Sequence, residues 1–267
     1  MTFHLEACRF HLSARRVIQF PPGMTGNVLR GAVGKGLREV AGAEDYTRIF
    51  APVATAAGPS GLSDRPRPFV FRCAALNGRV VQRGEGFCFG LHLFDVPEPS
   101  LDYFTRAFAH WADLISVQHE QIALDLSPAA NPVSRIRVEF QTPTELKAGG
   151  QYATGEFSVL LARARDRLST LRSLYGEGPL EIDFRALARR ARSVKTVRSE
   201  LQHVKVQRRS GRTGQRHGIG GLVGFAEYEG DLAEFVPYLE AASWTGVGRH
   251  CTWGNGQIAT TILNSEF

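Results

Sequence analysis

The predicted elements run strand, helix, strand, strand, helix, strand, and the order then repeats after a Pro-containing linker. That order is the split unit of ferredoxin-like folds. The sequence therefore predicts an α+β protein of two tandem ferredoxin-like (RRM-like) domains, residues 1–127 and 133–267. Two further observations frame the function. A glycine-rich loop, Gly246 to Gly256, precedes the last predicted strand. A basic stretch lies inside the second unit: from Arg185 to Arg216 there are eleven Lys or Arg residues and one acid, Glu200.

Residues 2–12 alternate loosely as a strand, with Phe3, Leu5, Phe10 and Leu12 apolar. Phe20-Pro21-Pro22-Gly23 is a turn. Thr25 or Asn27 is the expected cap of a helix running to about residue 40. Val28, Leu29, Ala32, Val33 and Leu37 form its apolar face, and Arg30, Lys35 and Arg38 lie largely off it. Gly31, Gly34 and Gly36 each cost that helix roughly 1 kcal/mol relative to Ala. Such a cost predicts close approach of something to the helix backbone. Residues 51–68 read as a loop rich in Pro, Gly and Ala, and residues 69–76 and 86–94 as a strand pair. Residues 98–117 read as a helix with Phe104, Phe108, Trp111 and Ile115 on one face, and residues 121–126 as a short strand.

Residues 127–132 are the linker. In the second unit, residues 135–141 alternate as a strand, and residues 156–175 form a helix whose Arg163, Arg165 and Arg167 read as an exposed face. Residues 182–191 are an added helix. Residues 194–209 and 220–228 are strands around a loop at 210–218. A helix at 232–242 and a strand at 257–263 close the chain.

Composition narrows the class. The 267 residues are 43% hydrophobic and 22% charged, ordinary for a globular protein. The net charge is +6, which suggests a polyanion partner. The four cysteines, Cys8, Cys73, Cys88 and Cys251, include no C-x-x-C pair, so neither a zinc site nor a disulfide scaffold is expected. The first ten residues lack the apolar stretch of a signal peptide. No apolar run of about 18 residues predicts a membrane span. A cytoplasmic protein without membrane contact, with buried free thiols and no cofactor, is the expectation. No carboxylate cluster suits a two-metal nuclease, so no metal is expected.

The loop Gly246-Val247-Gly248-Arg249-His250-Cys251-Thr252-Trp253-Gly254-Asn255-Gly256 lets backbone come close to a ligand, and free N–H groups in such a loop can cradle an anion. It lacks the Gly-Lys-Ser/Thr ending of a nucleotide P-loop and the spacing of a dinucleotide fingerprint. The segment from Gln207 to His217 carries Arg208, Arg209, Arg212 and Arg216, with hydroxyl and amide groups suited to sugar or base. The run before it, Arg185, Arg189, Arg190, Arg192, Lys195 and Arg198, is compatible with a solvated face or with nucleic acid.

Gly-hydrophobic-Gly, five residues, Gly-x-Gly is also the pattern that closes the RAMP (repeat-associated mysterious protein) superfamily. With Leu29-Arg30-Gly31-Ala32 near the start, the chain resembles the CRISPR repeat-cleaving endoribonucleases that process precursor CRISPR RNA. Asn255 stands where that family usually has an apolar residue. The resemblance implies tandem ferredoxin-like domains and RNA cleavage without metal. In that chemistry the 2′-OH attacks the adjacent phosphate, giving a cyclic 2′,3′-phosphate. It also implies CRISPR repeat RNA as partner, with other CRISPR effector subunits open, and a monomer or homodimer. Many family members place a His near the first helix, and this chain has none between His11 and His92. The catalytic candidates are Lys35, Tyr46, His217 and His250. The RNA-binding candidates are Arg30, Arg38, Arg208, Arg209, Arg212, Arg216, Gly246, Gly248, Arg249, Gly254 and Gly256. The alternative is a RAMP subunit that binds CRISPR RNA in an effector complex without cutting it.

Overall fold

The computed structural model describes residues 1–52, 65–96, 100–209 and 216–263, with backbone only at 208, 209, 216 and 217. The first half contains β1 (Thr2–Ser13), β2 (Ile18–Gln19), α1 (Thr25–Val40), α2 (Ala43–Phe50), β3 (Phe69–Arg72), β4 (Val80–Val81), β5 (Gly86–Leu93), α3 (Leu101–Ala109) and β6 (Asp113–Asp125). Its sheet order is β3-β5-β1-β6, all antiparallel. The second half contains β7 (Arg135–Thr144), β8 (Lys147–Ala148), β9 (Gln151–Tyr152), α4 (Phe157–Tyr175), α5 (Phe184–Ala191), β10 (Lys195–Val204), β11 (Gln207–Arg209), β12 (Arg216–Gly218), β13 (Gly221–Glu229), α6 (Val236–Thr245) and β14 (Ile258–Ile262). Its sheet order is β10-β13-β7-β14, again antiparallel. Each half puts its first strand between its third and its fourth, the ferredoxin-like arrangement predicted.

The period of two in β1 divides its side chains between two cores. Cys8, Phe10 and Leu12 face α1 and α3 in the first core. There Phe10, Phe89 and Phe108 lie 5.0–5.5 Å apart, centroid to centroid. Phe3 and Leu5 join the second cluster, with Leu160 and Leu168 of α4 and Leu239 of α6. The outer face of the first sheet is thus partly covered by helices of the second half.

Three sequence expectations need correction. The helix expected over 98–117 ends at Ala109, and residues 113–125 form one long strand. β6 pairs along the full length of β1, and that ladder overrides the helical spacing of Trp111 and Ile115. Ile115 is left 65% exposed. Neither Thr25 nor Asn27 caps α1: the cap is Met24, with no side-chain bond, and Thr25 is the first helical residue. Arg165 is buried, not exposed, bonding Asp166 and the Phe184 carbonyl oxygen. The sequence reading also omitted α2, and residues 216–218 form a strand where a loop was expected.

The α1 glycines divide by environment. A Cβ on Gly36 would lie 2.4 Å from the Ala107 carbonyl oxygen, and one on Gly26 would lie 2.0 Å from that of Trp253. Both permit backbone contact, the first with α3, the second with the glycine loop. A Cβ on Gly31 meets nothing within 4 Å. Gly26→Ala should destabilise the protein by about 2 kcal/mol through overpacking. Gly31→Ala should instead stabilise it, by about 1 kcal/mol of helix propensity. Paired urea titrations check both signs.

Candidate nucleic-acid interface

The glycine loop begins where α6 ends. An α-helix leaves its last four carbonyls without helical partners. Here Arg72 of β3 donates to the Ser243 carbonyl, His92 Nδ1 lies 2.8 Å from the Trp244 carbonyl, and Arg167 Nε donates to the Thr245 carbonyl at 2.9 Å. Two of these three partners belong to the first half. Burial, reinforced by the neighbouring Arg72 charge, pushes His92 down to about 3, so the ring is neutral and its Nδ1–H donates.

Gly246 then turns the chain at φ 75°, and Gly248, Gly254 and Gly256 also have positive φ. Several loop N–H groups bond protein carbonyls: Val247 to Gly256, Arg249 to Glu145, Gly254 to Cys251, and Gly256 to Pro143. A Cβ on Gly248 would meet the Glu145 carbonyl oxygen at 2.4 Å, and one on Gly256 that of Val247 at 2.1 Å. The glycines are needed for these crossings. His250 is the one non-glycine with positive φ among the described residues, at 63°. Its ring stacks on Trp253 at 4.6 Å, and its Nε2 lies 3.6 Å from Glu145. Buried Glu145 also holds Arg249 at 3.1 Å and Lys147 at 3.5 Å. Sequence reasoning missed Glu145. Asn255 is buried and donates to the Ile219 carbonyl at 2.7 Å, which accounts for a polar residue at this place.

On the first half, the Arg30 guanidinium sits over Phe50 at 4.6 Å and Trp253 at 5.5 Å, joining α1, α2 and the loop. Arg38 donates to the Tyr46 hydroxyl at 3.1 Å and covers its ring at 5.4 Å. Lys35 is exposed and lines a groove with Arg15, Arg16 and His110. A second groove, of about 450 Å³, separates the halves; Thr25, Gly26, Asn77, Thr142, Lys205 and Gly254 are among its walls. The Thr25 hydroxyl is buried there without a hydrogen-bond partner.

The β11–β12 hairpin pairs Arg208 with His217 and Arg209 with Arg216 in backbone register. Arg212 lies outside the described residues. β10 presents nearly all its residues to solvent. Its Arg198 is paired with Glu200, and Arg190 of α5 with Glu234. The structure thus brings Arg30 and His250 together around Trp253, Arg249 beside His250 on Glu145, and Arg38 with Tyr46. Lys35 lines a groove that His250 does not. Among the described residues, no cluster of three or more His, Cys, Asp or Glu is placed to hold a metal, and no helix is long and apolar enough to cross a membrane. Cys8, Cys73, Cys88 and Cys251 are free thiols, and burial pushes Cys8 and Cys73 up to about 12.

The comparisons agree with two tandem ferredoxin-like units. Residues 138–258 match the family of CRISPR-associated endoribonucleases, Cas6. Residues 3–125 match a second family, described only as an N-terminal domain. Over residues 138–258 the chain is therefore similar to the Cas6 family. Among solved structures, a Cas6 product complex is 18% identical with a TM-score of 0.57, covering 97% of this chain and 100% of that one. Thermus thermophilus Cas6 is 14% identical with a TM-score of 0.59, covering 98% and 99%. A partial Cas6-RT-Cas1–Cas2 complex is 12% identical with a TM-score of 0.64, covering 99% of this chain and 47% of that one. At these identities the likeness carries the fold. A comparison with curated proteins finds no match.

Two predictions follow from this geometry. His92 binds its proton in the unfolded chain near its ordinary value, and in the folded chain only near 3. The unfolded state therefore holds more protons between those values, and stability falls as pH drops through that window. Urea midpoints between pH 7 and pH 4 should decline, and His92→Gln should flatten the decline. Asn255→Leu strands the buried Ile219 carbonyl and should cost about 1–3 kcal/mol, read by the same titration.

Proposed function

We propose that this protein is a metal-independent endoribonuclease that cuts CRISPR repeat RNA and so matures precursor CRISPR RNA. The observation that carries the reading is the Cas6 match over residues 138–258, whose glycine loop docks on α1. In the proposed chemistry a base takes the proton of a 2′-OH, and the 2′-oxygen bonds the adjacent phosphorus. The P–O5′ bond breaks, and the 5′-oxygen leaves with the electron pair and gains a proton. The products are a cyclic 2′,3′-phosphate and a 5′-hydroxyl. Cations stabilise the charge that develops on the phosphoryl oxygens.

Lys35 is the candidate for that charge, and Tyr46, held by Arg38, is a positioning group. His217 and His250 are the sequence's candidates for proton transfer, as imidazoles able to act as acid or base. Arg30, Arg38, Arg208, Arg209, Arg212, Arg216 and Arg249, with the glycines of the loop, form the proposed RNA grip. We take the linker as the border between two domains, 1–127 and 133–267. The chain acts as a monomer or homodimer in the cytoplasm, and other CRISPR subunits are candidate partners, since one similar structure is a partial Cas6-RT-Cas1–Cas2 complex.

The lack of a His between His11 and His92 favours a second reading, a RAMP subunit that holds CRISPR RNA without cutting it. Single-turnover incubation with end-labelled repeat RNAs in EDTA separates the two. Cleavage of RNA, with none of a substrate carrying 2′-deoxy at the cut, is the expected result. Loss of cleavage in EDTA, restored by magnesium, would sink the metal-independent chemistry. Binding without cleavage selects the second reading. Full rate in both His217→Ala and His250→Ala would remove proton transfer from those residues.

A further inference from the structure

A groove of about 480 Å³ runs between α1, α3 and the end of β1, away from the glycine loop. Its polar lining includes Arg15, Arg16, Lys35, Glu39 and His110. Of its three cations one, Arg15, is paired with Asp113, and the other two make it a seat for an anion. Lys35 and Arg16 have no carboxylate partner among the described residues, so their charge is not neutralised locally. Arg15 is held: its Nε donates to Asp113 at 2.7 Å and its Nη1 to the His110 carbonyl at 3.4 Å.

His110 sits at the C-terminal cap of α3. Its Nδ1 lies 2.9 Å from Glu39 Oε2, and its Nε2 has no hydrogen bond among the described residues. A carboxylate on one ring nitrogen fixes the tautomer and leaves the other nitrogen to act on a substrate, the logic of an oriented general base. Both partners are about half exposed, at 51% and 45%, so the pair contributes little to stability. Lys35 and Glu39 are four residues apart on α1, hence on one face and about 6 Å apart along the axis. The Lys35 side chain and the His110 ring, held by Glu39, therefore line one groove. Gly31 lies on the same groove wall, where a Cβ meets nothing.

We infer that this groove seats the scissile phosphate, with His110 as the catalytic base, Glu39 as its positioning residue, and Lys35 with Arg16 neutralising the phosphoryl oxygens. The inference rests on the 2′-OH cleavage proposed above. His110 Nε2 takes the 2′-OH proton as the 2′-oxygen bonds phosphorus. The P–O5′ bond breaks, and the 5′-oxygen takes a proton from solvent water.

The test uses the full chain and end-labelled repeat RNA in EDTA, with single-turnover rates and filter-binding Kd measured in parallel. His110→Ala and Lys35→Ala should each slow cleavage at least 100-fold, in the range expected for general-base loss, with Kd changed less than threefold. Glu39→Gln should slow it about tenfold while Kd holds. Gly31→Leu, which fills the groove and favours the helix, should abolish cleavage without lowering the urea midpoint. Wild-type cleavage with unchanged rate in His110→Ala, or a rate loss matched by an equal loss of binding, overturns this inference and leaves the proposed function standing. No cleavage by the wild-type chain overturns both.

Discussion

The site depends on how one helix ends. The last carbonyls of α6, at Ser243, Trp244 and Thr245, are satisfied by Arg72, His92 and Arg167, side chains from β3, β5 and α4. Left unmade in a buried setting, each such bond costs of order 1–3 kcal/mol. The three together fix where α6 stops relative to both halves. The glycine loop starts at the next residue, so its position is inherited from that cap. Gly26 of α1 and Gly254 of the loop then meet backbone to backbone, a proximity that a side chain at Gly26 would prevent. The neutrality of His92 belongs to the same constraint, because a second charge beside buried Arg72 would oppose the seam.

Net charge is a poor guide to which cations are available to a polyanion. Arg72, Arg165 and Arg167 are spent on protein carbonyls, and Arg30 on two aromatic rings. Arg135 and Arg137 share Glu227, whose carboxyl they hold below its usual range. Removing such residues would disturb the fold as much as any ligand. Lys35 and Arg16 differ, since no carboxylate lies against either among the described residues. A binding surface is better found from cations without partners than from the density of arginine in the sequence.

The fold was legible because its signals are local. The strand of β1, the helix of α4 and the turn at Phe20-Pro21-Pro22-Gly23 follow from periodicity and turn chemistry. The split of residues 98–125 into a short helix and a long strand was not, because it follows from the length of β1, a partner more than 80 residues away. The glycine loop was visible, but its main contacts were not: Glu145 and Gly26 are remote in sequence and carry no motif. His110 was passed over for the same reason. Nothing near it in sequence marks it, and only the packing of α3 on α1 brings it to Glu39.

α1 links these features. Gly26 and Arg30 face the glycine loop, while Lys35 and Glu39 face the opposite groove. Five residues advance a helix by about 140° beyond a full turn, which is why Arg30 and Lys35 cannot serve one cavity. The glycines sort in the same way: Gly26 admits the loop, Gly36 admits α3, and Gly31 leaves open space. An RNA reaching both faces has to cross α1 near Gly31, where no side chain stands. The glycines that weaken α1 as a helix therefore let it meet both the glycine loop and α3 backbone to backbone.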